Sequence, residues 1–199
     1  TDGADAFFIG GAGNDVITGG VYDLTTTDGS FDRVDYANEF GGSAVTVDLE
    51  AGTAIDTFGD TDTLSNIDAI RGTSQADSLT GSDNSAAPIG NKFEQFHGLG
   101  GNDVIDGGLG LDLVRYDNDA GFGGGAGVTV DFVNGTAIDG FGDTDTISNI
   151  EAVRGTNQAD TFTGAGGSEQ FYGLGGNDVI EGGGGSGDEV RYDFDTRVG

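Results

Sequence analysis

Acidic side chains recur through this chain in one local setting. Asp15, Asp77, Glu94, Asp103, Asp112, Asp160, Glu169, Asp178 and Asp188 each stand two residues before a large apolar side chain, and most follow a glycine-rich stretch. Carboxylates repeated at a fixed step, with glycine turns between them, bring side-chain and main-chain oxygens together. Adjacent carboxylates repel, and their pKa values rise. A hard cation relieves both problems. Six to eight oxygens, mixed carboxylate and carbonyl, suit Ca²⁺ better than Mg²⁺, which demands strict octahedral geometry and keeps its waters.

The elements that must position these acids follow from the register. Numbered 1 to 9, the unit reads G-G-x-G-x-D-x-U-x, with U large and apolar. The unit glycines beside the acids are Gly10, Gly11 and Gly13 in the first third. In the middle third they are Gly72, then Gly98, Gly100 and Gly101, then Gly107, Gly108 and Gly110. In the last third they are Gly155, then Gly164, Gly166 and Gly167, then Gly173, Gly175 and Gly176, then Gly182, Gly183 and Gly185. Position 8 is Ile17, then Leu79, Phe96, Ile105 and Val114, then Phe162, Phe171, Ile180 and Val190. The unit from Gly81 to His97 carries an insertion with the only Pro. The first third is truncated. Asp5 and Phe7 are read as positions 6 and 8 of a partial unit, and a stretched unit ends with Asp32 and Val34. Gln75 and Gln158 replace the position-4 glycine, Glu94 and Glu169 replace Asp, and Ser186 with an extra glycine alters the last turn.

Two copies of another segment separate these blocks. Ala44 to Thr73 matches Gly127 to Thr156 at a constant offset of 83 residues. Val45 to Leu49 alternates with period two, a strand signature. Ala69-Ile70-Arg71 and Ala152-Val153-Arg154 fall at positions 7 to 9 of units that have lost their glycine turn. Asp56, Asp60 and Asp62, with Asp139, Asp143 and Asp145, sit in Gly-containing turns. They read either as a second class of Ca²⁺ site or as solvated turns in which Asp caps its own backbone.

Positions 7 to 9 predict a short strand with U inward, and positions 1 to 6 a turn, where glycine tolerates positive φ. Two units make one coil, so unit n stacks on n+2 at about 4.8 Å. The expected stacked pairs are Asp77 with Asp103, Asp160 with Asp178, Glu94 with Asp112, and Glu169 with Asp188. Asp5 is expected to face Asp32, and Asp15 has no evident partner. The predicted fold is all-β, a parallel β-roll (β-solenoid) with calcium in its glycine-rich turns. Its parts are roll blocks over 1–36, 72–116 and 155–199, with spacer turns over 37–71 and 117–154, in one continuous domain.

Composition narrows the function. Against 35 Asp+Glu the chain has 7 Lys+Arg, a net charge of −28. That argues against nucleic acid or an anionic membrane as partner, since both want a basic patch. No apolar run is long enough to span a membrane. No basic-then-apolar leader precedes the repeats, and the absence of Met suggests a segment of a longer protein. With no Cys there is no disulfide. Disorder without a ligand is compatible with 41 glycines, but the fixed spacing of Phe, Ile and Val argues for a fold once one is bound.

On these repeats the chain resembles the repeats-in-toxin, or hemolysin-type, calcium-binding β-roll. The resemblance covers most of the chain. It implies several Ca²⁺ ions between stacked turns, held by the position-6 carboxylates and by carbonyls of positions 1 to 4. It also implies a secreted or cell-surface bacterial protein. Such a protein leaves through type I secretion machinery unfolded and folds on meeting extracellular calcium.

No enzyme is expected: HExxH, GxSxG and a nucleophile with its base are absent. His97, the only histidine, falls at position 9 and is read as an outward surface residue. Tyr36, Tyr116 and Tyr192 are expected to pack over the core. Arg71 and Arg154 are expected to pair with nearby carboxylates. A second reading is an adhesive or polysaccharide-binding module with structural calcium. A third is the carboxyl-terminal part of a secreted hydrolase or epimerase.

Overall fold

The computed structural model describes residues 6–20, 31–83 and 93–192. Among these the chain is all-β except for one short helix, Asp119–Phe122, which ends at Gly123 with φ 111°. Strands are short, mostly three residues, because each nine-residue unit spends six of its positions on the turn.

Two sheets form, and the repeat strands enter them alternately. The first sheet is parallel throughout. Its order is Phe7–Phe8, Arg33–Asp35, Ala69–Arg71, Gln95–His97, Leu113–Arg115, Ala152–Arg154, Gln170–Tyr172 and Glu189–Val190. The second holds eleven strands and is mixed. Its repeat strands pair in parallel, as Ser78–Ser82 does with Val104–Gly108. Each spacer adds a meander that runs antiparallel: Thr46–Asp48, Thr53–Ile55 and Thr61–Ser65, and again Thr129–Asp131, Thr136–Ile138 and Thr144–Ser148. The expectation of parallel strands throughout is therefore corrected for the spacers. Gly52 and Gly135, at φ 67° and 64°, make the tight turns that reverse the chain there. No closed barrel forms among the described residues.

One core lies between the sheets. Position 8 supplies it from both sides: Leu79, Ile105 and Phe162 from the second sheet, and Val34, Phe96, Val114 and Phe171 from the first, are fully buried. Phe162 and Phe171 stack across it at 6.1 Å. Burying a side chain of this size contributes about 1.5–3 kcal/mol, and the same cluster runs from Ile17 to Phe171. Tyr36 and Tyr116 join it as expected, whereas Tyr192 is 70 % exposed at the chain's far end.

The partial first unit is shifted by one residue from the sequence reading. Phe7 pairs with Arg33 and Phe8 with Val34, so Phe8 takes the inward position 8 and Phe7 is exposed. With two adjacent phenylalanines, apolarity alone does not choose between them. The Ala6 N–H donates to Asp32 Oδ1 at 3.1 Å. Asp5 is outside the described residues.

Candidate metal centre

The n to n+2 stacking places the acids in two rows, one at the start of each sheet's strands. Along the second sheet, the Asp77 N–H donates to Asp103 Oδ1 at 2.8 Å, and the Asp160 N–H donates to Asp178 Oδ1 at 3.1 Å. Along the first, the Glu94 N–H donates to Asp112 Oδ1 at 3.0 Å, and the Glu169 N–H donates to Asp188 Oδ1 at 3.2 Å. One carboxylate oxygen thus bonds the backbone of the preceding coil.

The other oxygen turns back over the first glycine of its own unit. A Cβ on Gly107 would sit 3.0 Å from Asp112 Oδ2, and one on Gly182 2.8 Å from Asp188 Oδ2. On Gly72, Gly98 and Gly155 it would overlap the Oδ2 of Asp77, Asp103 and Asp160. Position 1 is therefore glycine because the carboxylate occupies the space of a side chain. Position 4 is glycine for another reason. Gly101 and Gly176, at φ 112° and 131°, lie against the main chain of Gln75 and Gln158 in the coil before.

The spacers extend both rows, which the sequence reading missed. Asp15 has a partner after all: its N–H donates to Asp62 Oδ1 at 2.9 Å, and equivalently the Asp103 N–H donates to Asp145 Oδ1 at 3.0 Å. Along the first sheet the Asp32 N–H donates to Asp68 Oδ2, and the Asp112 N–H to Glu151 Oε2. A signal for Asp68 and Glu151 was present, since each directly precedes a strand placed at positions 7 to 9. For Asp62 and Asp145 the signal was only their place two residues before Leu64 and Ile147; their partners are set by the meander, which brings them into register.

Around Asp62 and Asp145 the acids are densest. Asp56, Asp62, Asp139 and Asp145 are fully buried, so the solvated-turn reading fails for these four, while Asp60 and Asp143 are half-buried. The capping it invoked is real: Asp56 Oδ1 accepts from the N–H groups of Phe58 and Asp60, and Asp139 Oδ1 from those of Phe141, Gly142 and Asp143. Their second oxygens, Asp56 Oδ2 and Asp139 Oδ2, have no hydrogen-bond partner among the described residues. The same holds for Asp15, Asp62, Asp103 and Asp112 Oδ2 and for Glu169 Oε2. A space beside Gly10 lies 3.2 Å from Asp15 Oδ2 and 3.3 Å from Asp62 Oδ2.

These carboxylates resist ionisation. Burial, with Asp145, Asp77 and Asp139 nearby, pushes Asp103 up to about 8. Burial, with Glu94, Glu151 and Asp106 nearby, does the same to Asp112. Asp145 rises to about 7 and Asp119 to about 8, again chiefly by burial. Asp77 rises only to about 6, because Thr73 and Val45 supply hydrogen bonds that oppose the burial. Thr73 N–H and hydroxyl both donate to Asp77, and Thr156 does likewise to Asp160. Threonine thus satisfies the acids of the two units that lack the position-4 glycine.

Among the described residues no three His, Asp or Glu side chains converge into a ready cage for a metal. The donors present are stacked carboxylates and turn carbonyls. The Cβ position of Gly107, for example, lies against Asn149 O and 3.0 Å from Asp112 Oδ2. Orphaned, desolvated carboxylate oxygens beside carbonyls form the all-oxygen set that a hard cation takes. No protein-family model and no curated protein matches the chain. No helix of the described residues is long and apolar enough to cross a membrane.

Proposed function

We propose that this chain is a calcium-binding β-roll of the repeats-in-toxin type, whose folding is completed by Ca²⁺. The observation that carries this reading is the pair of acid rows. Their carboxylates are stacked and mostly buried, and five of their oxygens have no hydrogen-bond partner among the described residues. An ionised carboxylate buried without a counter-charge is strongly unfavourable. The salt bridges of the described arginines are made to other acids, chiefly Asp35 and Asp117. A divalent ion would supply the missing charge and take the missing bonds.

Asp103 with Asp77, Asp112 with Glu94, and Asp15 with Asp62 are the pairs that would hold it, together with turn carbonyls. The two spacer turns around Asp56 and Asp139 would add further oxygens. Extracellular modules of this kind bind calcium at about 10⁻⁴ to 10⁻³ M. Cytosolic calcium then leaves the chain unfolded and exportable by a type I route, and external calcium folds it. Far-UV circular dichroism in chelator, then with millimolar calcium or magnesium, tests this. Calcium alone is expected to convert coil to β. A full β spectrum in chelator, unchanged by calcium, would overturn the reading.

A further inference from the structure

The positive charge of this acidic chain gathers in one place. Arg33, Arg71, Arg115, Arg154 and Arg191, five of the 7 Lys and Arg, lie on or beside the outer face of the first sheet. His97 stands in the same row. The sequence reading put it at the surface, but it is only 3 % exposed. Arg71 and Arg115 stand beside it on the neighbouring strands.

A cavity of about 140 Å³ opens on this face, lined by Phe7, Phe31, Arg33, Gln95, His97 and Arg115, with Ala69 and Ile70 as its floor. Its polar lining is rich in donors. Arg71 Nε–H donates to His97 Nδ1 at 3.5 Å, so the neutral ring carries its hydrogen on Nε2. That Nε2 is buried and has no hydrogen-bond partner among the described residues, and Asp117 Oδ1 stands off at 3.8 Å. Arg33 Nε is also buried and without a hydrogen-bond partner among the described residues. The two carboxylates at hand are already shared, Asp35 by Arg33 and Arg71, and Asp117 by Arg115 and Arg154. Burial and the surrounding arginines hold His97 neutral, well below its ordinary range.

Two buried donors without acceptors, beside guanidinium groups, call for an anionic acceptor. Phe7, with the Arg33 guanidinium 4.2 Å over its ring, and Phe31 offer an apolar wall for the carbon skeleton that bears it. We infer that this cavity is a binding site for a small organic carboxylate, its carboxylate taken by Arg33, His97 and Arg115 and its ring or chain laid against Phe7 and Phe31. The site shares no residue with the acid rows, so it does not rest on the calcium reading.

The test is an NMR titration of the ¹⁵N-labelled full chain in calcium buffer, once a dispersed spectrum shows it folded. If calcium proves unnecessary for folding, the same titration runs in chelator. The probes are galacturonate, benzoate and neutral galactose. Saturable shifts of the His97 Nε2–H and Arg33 Nε–H signals are expected with a carboxylate and not with galactose. Preference for galacturonate would mark a sugar acid as the ligand, and preference for benzoate an apolar one. Arg33→Gln and Arg115→Gln, each checked for a wild-type β spectrum, should weaken binding by about tenfold, the effect of losing a charged hydrogen bond. Gln95→Ala serves as a further cavity variant if either fails to fold. No saturable shift with either acid, or equal affinity in the variants, would overturn the proposal.

Discussion

The duplicated spacer places the same junction twice in one molecule, and the two copies solve it differently. In the first, Asp15, Asp56 and Asp62 each keep an oxygen without a partner, and the Tyr36 hydroxyl is orphaned beside them. In the second, the Tyr116 hydroxyl donates to Asp145 Oδ2 at 3.3 Å, which leaves Asp103 and Asp139 as the orphans. Glu39 of the first copy bonds Thr57 and the Gly11 N–H, while the shorter Asp119 of the second bonds the Gly140 N–H. The same acids in the same register therefore differ in how much of their hydrogen bonding the protein itself completes. The remainder is what a cation would have to complete. The first junction thus relies on it more.

The largest effect should come from removing charge at the second junction. Asp103→Asn keeps the oxygen that accepts from Asp77 and removes a carboxylate whose pKa is raised to about 8. In chelator at pH 7 it should stabilise the fold by roughly 2–4 kcal/mol, about 1.4 kcal/mol for each unit of raised pKa recovered. Calorimetric titration should show fewer calcium ions bound. Asp62→Asn should act in the same direction at the first junction. Destabilisation in chelator by either change would break the argument from desolvation.

Acidity should act most at the second junction, with Asp62 of the first also held above its ordinary range, chiefly by burial. Asp103, Asp112, Asp119 and Asp145 have folded pKa values of about 7 to 8, above their unfolded values near 4. Between those limits the folded state binds more protons, so metal-free stability is highest at low pH and falls as pH rises from about 4 to 8. The β content measured in chelator by circular dichroism should therefore drop between pH 5 and pH 8. With saturating calcium the slope should flatten or reverse, because the metal competes with those protons.

Glycine at position 1 sharpens the contrast. A Cβ on Gly98 would overlap Asp103 Oδ2, whereas one on Gly10 would stay 3.2 Å from Asp15 Oδ2. Gly98→Ala should cost about 1–3 kcal/mol in calcium, the usual range for overpacking, and Gly10→Ala distinctly less. Thermal melts of the two variants side by side would show it. The smallest difference concerns the tyrosines. Tyr116→Phe should cost about 1 kcal/mol, one buried hydrogen bond. Tyr36→Phe removes a hydroxyl with no partner and should be neutral or slightly stabilising. Equal losses at both sites would mean the two junctions are the same after all.

What the sequence determined by itself was everything that repeats. The nine-residue step set the strands, the inward side chain and the four expected acid pairs of the two complete blocks, because a β period and a glycine turn are local properties. It did not settle the partial first unit, where Phe7 and Phe8 compete for one inward position. It placed Asp62 and Asp145 two residues before Leu64 and Ile147, as in the rows, but could not fix their partners. Those depend on an antiparallel meander that carries the chain back to the sheet. Nor could it show that His97 is buried. That follows from the arginines of neighbouring coils, tens of residues away, meeting on one face. Only the stacking of the coils decides which outward positions touch, and that stacking gathers five arginines, a histidine and an open cavity on a single face of an otherwise acidic protein.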